Sequence, residues 1–193
     1  MSIGPADCDN GLVARDEVQI SALLAVEYER LKEEQKARIG LRDNLIYATL
    51  VAMAAVVAAM MQSGGRTDFL LLLPPVTFLL GWTYLANDQK ISDIGRYIRE
   101  TLGPQLASLA DEPTPVFGWE SAHRAGPRRA GRKLMQLLVD LMAFCLAPLA
   151  GVIVAWADGG LPAMLVALSI AEVALLALLA MHIVREVELT AGR

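Results

Sequence analysis

Residues 45–61, LIYATLVAMAAVVAAMM, carry no charge and read as a helix that can enter lipid. Crossing a hydrocarbon core of ~30 Å takes ~20 apolar residues, so this block borrows a few neighbours. Three further blocks follow. Residues 69–86, FLLLLPPVTFLLGWTYLA, are also uncharged; residues 137–157 contain one acid, Asp140; residues 161–184 contain Glu172 and His182. Hydrophobic residues make up 55% of the 193 and mean hydropathy is +0.44, against roughly 45–50% apolar in an ordinary soluble domain. Four such blocks leave too little amphipathic sequence to cover them as a soluble bundle. The fold class expected is all-α and membrane-spanning, with four transmembrane helices arranged as two hairpins.

Basic residues set the expected orientation, because Lys and Arg accumulate on the cytoplasmic side of short loops. Six precede the first block (Arg15, Arg30, Lys32, Lys36, Arg38, Arg42), and one, Arg66, separates the first and second. Eight lie between the second and third: Lys90, Arg96, Arg99, Arg124, Arg128, Arg129, Arg132 and Lys133. None lies between the third and fourth, and Arg185 and Arg193 follow. This pattern places both termini and the middle segment in the cytoplasm of a cell inner (plasma) membrane. The two outer loops, QSGGRTD and DGG, are tight glycine turns. MSIGPADCDNG lacks the basic-then-apolar order of a signal peptide, so the first span is expected to act as the targeting signal.

Residues 1–15 read as a disordered acidic tail, and residues 16–103 as a helical hairpin with a cytosolic arm. Ahead of the first span, Ile20, Leu24, Tyr28, Leu31 and Ile39 form an apolar stripe with Gln35 in its gap. After the second span, Ile91, Ile94, Ile98 and Leu102 repeat at helical spacing up to a Gly103-Pro104 breaker. The two stripes predict an antiparallel, coiled-coil-like pair. Within the first span, Ala48, Ala52, Ala55 and Ala59 make a small-residue face of the kind that lets lipid-embedded helices approach closely. Pro74-Pro75 either opens the second helix or kinks it. Residues 104–133 read as a cytosolic linker, with Phe117 and Trp119 suited to the headgroup level. Its basic run (Arg124, Arg128, Arg129, Arg132, Lys133) is expected to attract anionic lipid at ~1 kcal/mol per residue. Residues 134–187 form the second hairpin and 188–193 a short tail.

Polar groups inside the spans are costly, ~2.5–3.5 kcal/mol for a central carboxylate on the mild insertion scale, and are therefore the site candidates. Asp140 and His182 fall near the cytoplasmic ends of adjacent helices and are expected to pair, with Arg185 as a competing partner for Asp140. Glu172 lies near mid-span with no base at its depth. It is expected to be protonated or bonded to Thr77, Ser169 or a second subunit's copy. No catalytic template is present: no GxSxG, GxxxxGK[ST], HExxH or GxGxxG occurs, and His123 and His182 are far apart. No metal-ligand spacing links His, Cys and carboxylates, Cys8 and Cys145 are not expected to bridge, and no strongly basic domain suggests nucleic acid. The expectation is a non-enzymatic protein without catalytic, cofactor or metal residues. Its expected partners are membrane lipids, further copies of itself and a possible cytosolic protein, with no nucleic acid.

Arg38-Ile39 and Arg42-Asp43-Asn44-Leu45, then LLLPPV, NDQKISDIGRYIRE and FGWE, resemble a pattern in a set of small, largely uncharacterised bacterial membrane proteins of the actinobacterial type. The resemblance covers about residues 27–120 and implies architecture and a bacterial origin, not a chemistry. It further implies an interfacial polar cluster, with Arg38, Arg42 and Asp43 facing Asn87, Asp88, Asp93 and Arg96. Such a cluster would either set helix register or bind a ligand or partner at the membrane surface. The expected activity is that of an oligomeric anchor or effector whose cytosolic arm binds a partner. The alternative is a small ion- or proton-conducting subunit using an intramembrane carboxylate.

Overall fold

The computed structural model describes residues 5–110 and 129–191, with side chains described for 18–109, 131 and 134–185. Every element among them is helical: α1 (Pro5–Gln62), α2 (Leu73–Tyr97), α3 (Gly103–Ala110), α4 (Arg129–Leu141), α5 (Ala147–Ala157) and α6 (Ala163–Ala191). Four helices each contain a window long and apolar enough to cross a membrane, within Val18–Gln62, Thr67–Leu109, Leu134–Ala157 and Ala163–Arg185. The chain is thus all-α and consistent with a multi-pass membrane protein. By its packing it divides into two compact units, Met1–Ile39 with Gln89–Gly126, and Gly40–Asp88 with Pro127–Arg193.

Four sequence boundaries move. The stretch expected as a disordered tail, 1–15, is helical from Pro5. Proline suits the first helical turn. The Gly103-Pro104 breaker does not end its helix, because α3 continues to Ala110. Residues 129–133 likewise belong to α4, and the expected tail from 188 is helical to Ala191. Of the expected linker, 111–128 lie outside the described residues, and with them Phe117, Trp119, Arg124 and Arg128.

Two five-residue π turns explain how helices run through prolines. One covers Ile98–Leu102 and joins α2 to α3; the other covers Met142–Leu146 and joins α4 to α5. In each, the residue just before a proline bonds five residues back, Gly103 N–H to the Ile98 carbonyl and Ala147 N–H to the Met142 carbonyl. Proline has no N–H and its ring crowds the carbonyl four residues earlier; the widened turn makes room. Both turns also sit within runs of inward side chains spaced four apart. Three steps of four drift by ~120° in a helix of 3.6 residues per turn. The extra residue absorbs much of that drift.

In the first unit, Ile94, Ile98 and Leu102 are buried and pack against Leu24, Tyr28, Leu31 and Leu106. Gln35, in the gap of the stripe, donates through Nε2 to the Ile91 carbonyl at 3.4 Å, and the Tyr97 hydroxyl donates to Glu27 at 2.8 Å. These contacts fix an antiparallel register. Burial of Ile98 and Leu102, both 0% exposed, stabilises the pair by about 1.5–3 kcal/mol per side chain. Ile20 and Ile39, expected in the same stripe, are exposed at 48% and 38%.

The second unit packs around Leu45, Tyr84, Leu85, Phe144, Cys145, Leu179 and Ile183. A smaller cluster joins Leu71, Val152 and Ala155. Glycines make the contacts possible: a Cβ on Gly81 would lie 2.8 Å from Leu179 Cδ2 and 3.0 Å from the Phe144 ring. Pro74-Pro75 opens α2, preceded by a 3₁₀ turn over Thr67–Leu72. The turn after α1 needs Gly64 and Gly65 at φ 81° and 84°, and the turn after α5 needs Gly159 at 71°. Thr67 Oγ1 donates to Asp158 Oδ2 at 2.9 Å, tying the two turns together. The small-residue face of the first span is only partly covered: Ala48 and Ala55 are exposed and Ala52 and Ala59 half-buried, and only 11% of that span's most apolar window is buried, against 44% for the second.

Candidate functional site

Arg42, Tyr84, Asp88 and Asp140 of the second unit gather where α1, α2 and α4 meet. Arg42 stands one turn before Leu45 on α1, and Asp88 follows the apolar part of α2. Arg42 Nη1 donates to Asp88 Oδ1 at 2.9 Å, and about a quarter of each side chain is exposed. Asp43 lies 3.6 Å from Arg42 Nε on the outer side. Burial opposes the Arg42 charge, but the hydrogen bond to Asp88 and the negative charges of Asp88 and Asp43 outweigh it and hold the guanidinium above its ordinary value.

One turn deeper on α2, Tyr84 is 3% exposed. Its ring packs 5.2 Å from that of Phe144, its hydroxyl accepts from Gln136 Nε2 at 3.5 Å, and it is hydrogen-bonded to Asp140. Asp140 is 8% exposed, and both Arg42 and Asp88 act on it electrostatically. Two buried atoms here have no hydrogen-bond partner: Asp140 Oδ1, an acceptor, and Arg42 Nε, a donor.

The other candidates are placed elsewhere. His182 bonds through Nδ1 to the Leu178 carbonyl at 3.1 Å and packs edge-on to Trp82 at 5.4 Å; the structure gives Asp140 to Tyr84 instead. Of the polar cluster implied by the motifs, the structure brings Arg42, Asp43 and Asp88 together. Arg38 is held by Glu34 of its own helix and Arg96 by Asp93 of its own, while Asn87 is buried at 5% exposure. Glu172 is 6% exposed and its Oε2 has no partner. The hydroxyls expected to serve it are engaged: Thr77 donates to the Leu73 carbonyl and Ser169 to that of Val166, while Ser169 accepts from Trp156 Nε1 at 2.9 Å. Of the basic run, Arg129, Arg132 and Lys133 fall on the first turns of α4, and the rest lies outside the described residues.

Sequence reasoning passed over Tyr84 and Gln136. The signals were present: Gln136 precedes Asp140 by four, on one helix face, and Tyr84 precedes Asp88 by four. Among the described residues no group of three His, Cys, Asp or Glu could hold a metal ion. What the site can do is hold charge and exchange hydrogen bonds between three helices. No protein-family model, curated protein or solved structure matches the chain.

Proposed function

We propose that this protein is a non-enzymatic, multi-pass membrane anchor or effector that forms oligomers and binds a cytosolic partner through the paired helices outside its spans. The observation that carries this reading is the apolar surface left on α1 after its pairing with α2. Leu24, Tyr28 and Leu31 are used in that pairing. Val18, Ile20, Leu23 and Val26 are not, at 69%, 48%, 64% and 54% exposed. A helix segment outside lipid with apolar residues on its free side invites a protein surface. Further along, the free side turns polar, with the Arg30–Glu33 pair at 3.5 Å and both side chains well exposed. The exposed Ala48 and Ala55 of the first span support assembly of several copies within the membrane. The basic bias of the segments flanking the spans supports a cytoplasmic placement of these helices in a bacterial plasma membrane.

Photo-crosslinking from positions 23 and 26 in cells, with position 30 as the polar control, tests the reading. The expected outcome is discrete protein adducts at Leu23 and Val26 and few at Arg30. An even pattern across all three positions would remove the basis for a docking surface.

A second reading, proton or cation conduction, is favoured by Glu172, whose buried Oε2 has no partner. Flux through liposomes holding the full chain, lost in Glu172→Gln, supports it; silence of the native protein rejects it.

A further inference from the structure

The Arg42–Asp88 pair is electrically complete, yet a further carboxylate is buried beside it. Asp140 adds a negative charge that no second base among the described residues balances. From α1, Arg42 and Asp43 face the cluster, and Asp43 is half exposed and already beside Arg42. From α2 come Tyr84 and Asp88. From its own helix comes the uncharged Gln136, and α6 presents Leu179 and Ile183 to the same core while its His182 turns to Trp82. Asp140 Oδ1 lacks a hydrogen-bond partner and so does Arg42 Nε, so the cluster holds one spare acceptor and one spare donor. A buried carboxylate with an open lone pair is stable only if something neutralises it or donates to it.

We propose that Asp140 is a proton-binding site whose occupancy determines how Arg42 divides its hydrogen bonds between Asp88 and Asp140. With the proton on Asp140, that acid is neutral and Arg42 stays with Asp88, as in the arrangement described above. With the proton released to solvent, Asp140 becomes a second anion and competes for the guanidinium. Arg42 carries five N–H groups in a rigid fork and can serve two carboxylates at once. Release therefore draws α1 and α4 together at this point, and uptake lets α4 go. The ligand is a proton and not a metal ion: the guanidinium repels a cation, and Asp140 Oδ1 is the cluster's only buried carboxylate oxygen without a partner among the described residues. The proposal is independent of the docking surface on α1 and of any role for Glu172.

Infrared spectroscopy of the full chain in phosphatidylcholine–phosphatidylglycerol vesicles, followed over pH, reads the site directly. The expected spectrum contains a carboxylic-acid C=O band that fades as pH rises. That band is absent in Asp140→Asn, retained in Glu172→Gln and shifted in frequency in Tyr84→Phe, which removes its hydrogen-bond partner. Arg42→Gln should raise the midpoint of the fading and Asp88→Asn should lower it, each by at least a few-fold in proton affinity, because the first removes an attracting cation and the second a repelling anion. Asp140→Glu, which keeps a carboxyl, covers the case in which the Asn variant does not fold; it should restore a titrating band. A native spectrum with no band that Asp140→Asn or Asp140→Glu alters overturns the proposal. So does a band indifferent to both Arg42→Gln and Asp88→Asn.

Discussion

Pro104 and Pro148 stand at the same place relative to a π turn, each two residues beyond its end, although one follows Ile98–Leu102 and the other Met142–Leu146. Each also belongs to a stretch with inward side chains at steps of four: Ile94, Ile98, Leu102 and Leu106 in one, Asp140, Phe144, Pro148 and Val152 in the other. The ring blocks an ordinary helical turn, and the widened turn it provokes keeps those side chains on one line. In this way a local steric conflict sets which face of α4, and so Asp140, looks inward.

The two prolines differ in surroundings, so one substitution should act with opposite sign at the two sites. Pro104 is exposed, and alanine there restores an N–H without loss of packing. Proline in a helix interior costs ~3 kcal/mol relative to alanine, and the π turn has already relieved part of that. Pro104→Ala should raise stability by about 1 kcal/mol and slow hydrogen exchange in the first turns of α3. Pro148 is fully buried, and its replacement leaves a void among close-packed helices. Pro148→Ala should lower the melting temperature, and equal responses at the two positions would show that the prolines do not act through the turns.

Glycine substitutions separate close packing from backbone freedom. Gly81→Ala puts a methyl group 2.8 Å from Leu179 Cδ2, closer than real contacts reach, and a tight 3.0 Å from the Phe144 ring. The overpacking should cost about 1–3 kcal/mol. Gly40 lies within α1 with nothing within 4 Å of an added Cβ, so Gly40→Ala should stabilise by about 0.5–1 kcal/mol. Thermal unfolding in a single detergent checks both signs. A neutral Gly81→Ala would mean that α2 and α6 separate more easily than their contact suggests.

The spans were legible in sequence because lipid demands uninterrupted apolar helix, and charge-free blocks of that length have few other uses. The pairing of Leu24, Tyr28 and Leu31 with Ile94, Ile98 and Leu102 was legible for the same kind of reason, a stripe at helical spacing. The passage of the helix through Gly103-Pro104 was not, since a proline after glycine reads as a stop unless the steps of four before it are taken as a request for a wider turn. The partner of Asp140 was misjudged because depth alone was considered. Sequence position puts His182 and Asp140 at similar expected depths, but the imidazole of α6 packs on Trp82, and Tyr84 on a different hairpin fills the place beside Asp140. On the side of α4, the face that carries Asp140 is tied to the π turn at Met142–Leu146, which periodicity at 3.6 residues does not contain.

Tyr97 offers a pH test outside the spans. Its hydrogen bond to Glu27, then partial desolvation and the negative charge of Glu27, hold the phenol above its ordinary value. A folded value above the unfolded one means that the bond's contribution is complete below ~10 and disappears as pH rises through the folded value. Glu27→Gln removes the charge that retains the proton. The tyrosinate absorbance of Tyr97, isolated by subtracting a Tyr97→Phe titration, should therefore appear at lower pH in Glu27→Gln than in the native chain. An unchanged or higher midpoint would place Glu27 away from Tyr97 in solution.

The Arg42–Asp88 pair should be worth modest energy by itself, and this bears on what it is for. Both side chains are about one quarter exposed, so solvent screens them and the coupling should fall near the ~1 kcal/mol upper end of partly exposed pairs. A double-mutant cycle with Arg42→Gln and Asp88→Asn, read from unfolding in detergent, should return about 0.5–1 kcal/mol. Arg42→Gln alone should cost more than Asp88→Asn alone, since it leaves Asp88 and Asp140 without their shared cation, whereas removing Asp88 still leaves Arg42 with Asp140 and Asp43 nearby. Equal single effects would indicate that Arg42 serves Asp88 alone. The asymmetry should vanish in an Asp140→Asn background, where no second buried acid competes for the guanidinium, and its persistence there would assign it to Asp43 instead.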